Sequence, residues 1–114
     1  MWATSQDGLN FEKKGIALDS RNDEFKGFLD GCEFVKWDDN SLRMYFWSYK
    51  GIYHTEFKDN KFSATAQFDY SNNADSKMDF PMSPPSDPTV IKIGGKWFMY
   101  YGQHTKGIDY AVLK

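Results

Sequence analysis

The run Thr89 to Tyr101, TVIKIGGKWFMYY, constrains the fold more than any other part of the chain. Thr89 to Ile93 is β-branched apart from Lys92, Gly94-Gly95 supplies the positive φ angles of a two-residue hairpin, and Trp97 to Tyr101 is an unbroken aromatic and methionine run. Strands are expected at Thr89 to Ile93, Lys96 to Gly102 and Ile108 to Leu113. In the middle one, alternation sends Trp97, Met99 and Tyr101 to one face and Phe98 and Tyr100 to the other. A strand apolar on both faces needs cover on both, as in a stack of sheets, so Trp97 and Tyr100 are expected to be buried.

The pattern occurs twice. Asp30, Phe34-Val35, the turn Asp38-Asp39-Asn40, Met44-Tyr45-Phe46-Trp47 and Gly51-Ile52 answer in order to Asp87, Val90-Ile91, Gly94-Gly95, Met99-Tyr100-Tyr101 and Gly107-Ile108. The spacing is 57 residues from Asp30 to Asp87 and 55 from Met44 to Met99. A period of this size, filled with short strands, points to propeller blades or a related β array.

The rest of the chain fits around these units. Met1 to Ser5 and Phe11 to Leu18 read as a hairpin closed at Asp7-Gly8, and Asp19 to Gly27 is a polar connection with room for one helical turn. The first unit reads as four strands, Cys32 to Trp37, Arg43 to Ser48, Ile52 to Lys58 and Ser63 to Phe68. Pro84-Pro85 and Pro88 keep the long connection before the second unit extended. The expected fold is all-β, with propeller-type four-stranded antiparallel blades, about two per chain, in one domain. Residues 1–27 form a trailing strand pair and connection, 28–70 a full blade, 71–86 a connection and 87–114 a partial blade.

Composition narrows the function. Aromatic residues make up 18% of the 114 residues and cluster in the strands, as wide aromatic packing requires. With 14 basic against 16 acidic side chains and the lysines dispersed, there is no basic stripe for a phosphate backbone, so nucleic acid is not an expected partner. Cys32 is the single cysteine; it permits no internal disulfide, leaves a metal site short of soft ligands, and reads as a small buried strand residue. No metal and no cofactor are expected. No apolar run reaches membrane-spanning length, and Met-Trp-Ala-Thr-Ser has neither the charged region nor the apolar core of a signal peptide. As given, the chain reads as soluble, with no membrane partner and a cytoplasmic location by default.

TSQDGLNFEKKGIAL resembles the third-to-fourth strand hairpin of the five-bladed β-propeller glycoside hydrolases, the arabinanase and xylosidase group of family 43 and the related invertase-like families. SDPTVIKIGGKWFMYYG resembles the Asp-Pro start of an innermost strand and the strand that follows it. The resemblance implies an active site at the mouth of a central channel, with carboxylates near the starts of innermost strands acting as base or nucleophile, pKa modulator and acid. It assigns such a place to Asp87, the corresponding place one repeat earlier to Asp30, and a third carboxylate to Glu33, because Cys32-Glu33 reverses the Glu-Cys motif of the invertase-like enzymes. Trp47 and His104 are the candidates for substrate contact. The chain departs from the pattern in holding about two blades, in Ser86 where an Arg often precedes Asp-Pro, and in Gly31 standing where Pro88 stands in the other unit.

Glycoside hydrolysis sets a geometric condition on this assignment. Two carboxyl groups must lie about 5 Å apart for retention or about 6.5 to 9.5 Å apart for inversion. The residues alone allow another reading, in which a strand-start aspartate caps backbone N–H groups and Glu33 is simply hydrogen-bonded. His54 and His104 each lie just before or within a third strand, with no Ser, Cys or second His at triad or metal spacing, and His104 reads best as a plain loop histidine.

Two blades on their own leave blade faces and a strand edge bare, so a homo-oligomer is expected. The leading functional reading is a small self-associating propeller fragment that resembles a glycoside hydrolase and acts on or binds carbohydrate. The second is a non-catalytic, lectin-like carbohydrate-binding protein, and the third an inactive remnant of a glycosidase.

Overall fold

The computed structural model describes residues 1–71, 84–103 and 107–114. The expected connection at 71–86 falls mostly outside the described residues, as does His104. Among the described residues every strand pairing is antiparallel and there is no helix. Strands β1 (Trp2–Thr4) and β2 (Glu12–Gly15) form a hairpin. Strands β3 (Asp30–Lys36), β4 (Leu42–Ser48) and β5 (Gly51–Lys58) form a meander, whose outer edge is shared by β6 (Lys61–Phe62) and β7 (Gln67–Tyr70). A third sheet holds β8 (Ser86–Ile93), β9 (Lys96–Gln103) and β10 (Gly107–Val112).

Turn chemistry sets these registers. Gly94 and Gly95, at φ of 56° and 80°, join Ile93 to Lys96, and Asp59 and Asn60, at 52° and 60°, join Lys58 to Lys61. Positive φ at both central residues matches the right-handed twist of the flanking strands. The Asp38-Asp39-Asn40 turn closes with Asn40 at φ 65° and a 3.0 Å bond from its N–H to the Trp37 carbonyl. The fourth strand expected at Ser63 to Phe68 is divided. After β6 the chain leaves the sheet and returns at Gln67, while the buried Thr55 hydroxyl donates towards the Ser63 and Thr65 carbonyls at 3.3 and 3.5 Å. Local side-chain bonding of this kind competes with the ladder.

Two aromatic cores flank the meander. On one face, Tyr45, Trp47 and Ile52 pack against Val90, Trp97 and Tyr101 of the third sheet. On the other, Phe25 sits edge-on to Phe46 and Tyr53 and covers them together with Met44. Phe25 is placed by a single turn in which its N–H and that of Lys26 reach the Asn22 carbonyl. Polar contacts tie the two sheets together: Trp97 Nε1 donates to Asp38 at 3.1 Å, Lys92 pairs with the same carboxylate, and Tyr70 and Tyr101 share a 2.9 Å hydroxyl bond. Trp37 and Trp97 stack with centroids 4.0 Å apart and planes 10° from parallel.

The repeat is present in the pairing itself, in a register the spacing of the aspartates does not give. On β3 the partners pass from Asp30↔Trp47 to Glu33↔Tyr45, and on β8 from Ser86↔Gly102 to Thr89↔Tyr100, so each strand carries one extra residue at the same place. Asp30 is therefore equivalent to Ser86, and Gly31 to Asp87, at an offset of 56 residues; the offset between β4 and β9 is 55. Gly31 and Asp87 both have positive φ, 54° and 48°. Because both strands carry the bulge, the offset is 56 on either side of it, and the Asp30-to-Asp87 alignment is one residue out of the paired register.

Two burial expectations are corrected. Cys32 is exposed, because alternation along β3 turns Cys32, Phe34 and Lys36 outward while Glu33 and Val35 face the third sheet. Tyr100 is exposed as well, since the meander covers only the Trp97 and Tyr101 face of β9.

Candidate functional site

Two of the three sequence-predicted carboxylates, Asp30 and Asp87, lie where β3 and β8 begin. Asp87 lies in the β8 bulge and its carboxylate reaches across to the meander: a Cβ on Gly31 would stand 2.7 Å from Asp87 Oδ1 and 3.0 Å from Trp47 Cδ1 and Nε1. Only a glycine leaves room for this approach, and the left-handed φ of Gly31 suits it. Asp30, the neighbour of Gly31, accepts the Gly31 N–H at 2.8 Å. Both aspartates are exposed. Trp47 is buried, with Phe28 edge-on to its ring at 4.8 Å, so it meets this end of the sheets by its indole edge.

Glu33 does something different. It points between the sheets, and Oε2 accepts the Val90 N–H at 3.3 Å. That bond joins the edge strands β3 and β8 of the two sheets and makes Glu33 a structural acceptor. The structure thus brings Asp87, Asp30 and the edge of Trp47 together, holds Glu33 further along the strand pair, and does not describe His104.

A second polar cluster was not evident in the sequence. A cleft of about 380 Å³ opens between the meander and the third sheet, with Arg43, Tyr45, His54 and Asp69 on one wall and Val90, Met99 and Leu113 among the residues of the other. His54 lies within the strand expected from Ile52 to Lys58. It is buried in β5, its Nδ1 lies 2.7 and 2.9 Å from the two Asp69 oxygens, and its ring packs on Tyr45. An ionised carboxylate only accepts, so Nδ1 carries the proton and Nε2 is held by default as the acceptor when the ring is neutral.

Arg43 lies 3.9 Å over the Trp37 ring with its Nε 3.6 Å from Glu56, and burial raises the Tyr45 phenol above its ordinary range against the opposing bond from Arg43. The described lining of the cleft offers Arg43, Tyr45, His54, Gln67 and Asp69 as groups that can hydrogen-bond a ligand. His54 and Asp69 are 15 residues apart, and their meeting follows from the β5–β7 register, which pairs His54 with Gln67. The only sequence signal for it was the strand placement around the divided fourth position.

Among the described residues, no group of three or more His, Cys, Asp or Glu side chains is arranged to hold a metal ion. No described helix is long and apolar enough to cross a membrane. No family model, curated protein or solved structure matches the chain.

Proposed function

We propose that the chain is a self-associating unit of propeller-type blades, resembling a glycoside hydrolase, and that its carbohydrate site lies where β3 and β8 begin. The observation that carries this reading is the reach of Asp87 onto Gly31 of the neighbouring unit, beside Asp30 and the edge of Trp47. Two exposed carboxylates from adjacent innermost strands at one end of the sheets are what acid and base roles on a glycosidic bond require. Asp87, in a bulge at φ 48°, is held in a backbone conformation typical of functional positions. In this reading the meander is one blade and the third sheet is part of the next, with β3 and β8 innermost.

The experiment is hydrolysis of an aryl glycoside panel by the wild-type chain and by Asp87→Asn, with thermal melts of both. The expected result is a loss of ~10²- to 10⁴-fold in kcat with a melting temperature close to wild type, since the substitution removes charge and keeps volume. Wild-type turnover that survives Asp87→Asn unchanged would show that Asp87 has no catalytic part.

The commitment of Glu33 to Val90 favours a second reading, in which the same end binds carbohydrate without catalysis. It predicts oligosaccharide binding, weakened by Asp87→Asn, with no turnover from either protein.

A further inference from the structure

The repeat register shows how the molecule covers a sheet face, and it leaves one face of the same kind uncovered. The meander face that packs on the third sheet presents Val35, Tyr45 and Ile52; the equivalent positions one repeat later are Ile91, Tyr100 and Ile108. Tyr45 and Ile52 are 4% and 0% exposed, while Tyr100 and Ile108 are 38% and 82% exposed. Ile93, Tyr110 and Val112 extend the open face. Such a contiguous apolar surface exceeds the single scattered side chains that are normal on a soluble protein.

The complementary surface has the same history. Within the chain, the strand laid over the meander is β8, which presents Val90. The equivalent of Val90 is Phe34 on β3, and Phe34 is 46% exposed where Val90 is 7% exposed. Each copy therefore carries an uncovered socket on β8, β9 and β10 and an uncovered counterpart on the outward side of β3.

We propose that a second copy of this chain docks head to tail, with the outward side of its β3 laid on the open face of the third sheet in the mode by which β8 lies on the meander. The inference rests on the self-association in the reading above and adds to it the surface, the partner strand and the orientation. The internal pair Glu33 and Val90 maps onto Thr89 of one copy and Phe34 of the other. The contact is heterologous, so it closes into a ring or extends, and each copy uses both surfaces.

Light scattering after size exclusion comes first, with an expected mass of at least twice 13.3 kDa. Orientation is then read from two variants in a Cys32→Ser background, one carrying Thr89→Cys and the other Phe34→Cys, treated with a short bismaleimide. The mixture should give a covalent heterodimer, whereas each variant alone should stay uncrosslinked. Crosslinking of Thr89→Cys with itself would mean that two open faces meet each other, and would overturn the head-to-tail geometry while leaving self-association intact. An assembly whose mixture does not crosslink would overturn it too. A monomer of 13.3 kDa at high concentration would remove self-association and this inference together. Because both substitutions are on exposed side chains, circular dichroism of each variant confirms folding before the crosslinking is read.

Discussion

Gly31 is the residue on which the approach of the two units turns. A methyl group there would meet Asp87 Oδ1 at 2.7 Å and the Trp47 indole at 3.0 Å, and φ of 54° disfavours any L side chain. Gly31→Ala should therefore lower stability by ~1 to 3 kcal/mol in urea unfolding followed by tryptophan fluorescence. Gly94→Ala, at a positive φ in open space, is the control for backbone strain alone and should cost less. Asp38 acts at the same scale through charge. Its carboxyl is held below the ordinary range first by the Lys92 ammonium and then by the Trp97 N–H. A depressed folded pKa contributes stability above the unfolded value of about 3.9 and loses it as pH falls through the folded value. Asp38→Asn should thus be less stable than wild type at neutral pH, and the gap between the two should narrow below about pH 4, as measured by denaturant midpoints across the range.

Among the elements, the strands and hairpins were legible because turn residues and alternation are local. Gly94-Gly95, Asp59-Asn60 and Asp38-Asp39-Asn40 close the turns that their residue types predict, and the strands differ from expectation mostly at their ends. What was not legible depends on partners distant in sequence. The pairing makes Gly31, not Asp30, the equivalent of Asp87, a repeat of 56 residues in place of 57, and nothing within either strand marks the bulge that both share. The division of β6 from β7 turns on Thr55, and the His54–Asp69 pair on the register that follows. Of the expected site, Asp87 and Asp30 came together, Glu33 took a backbone partner, and Trp47 turned out to be core. Burial of Cys32 and Tyr100 failed for one reason: alternation assigns a face, but the fold decides which faces meet another sheet.

At the scale of the whole molecule, folding and association are coupled in the proposed assembly. Any species that buries the open face binds the native state and not the unfolded one, so the denaturation midpoint should rise with protein concentration. A midpoint independent of concentration across a hundredfold range would separate the fold from the assembly. The stacked pair Trp37 and Trp97 has a consequence for watching this process. One indole follows the β3 strand and the other belongs to β9, so the two transition dipoles sit face to face only while the sheets are docked. An excitonic couplet in the circular dichroism is the expected signature of this stack, an optical gauge of sheet docking that is independent of the amide signal of the strands. A species in which the couplet vanishes at a denaturant concentration where strand dichroism persists would be one with both sheets formed and the seam between them open.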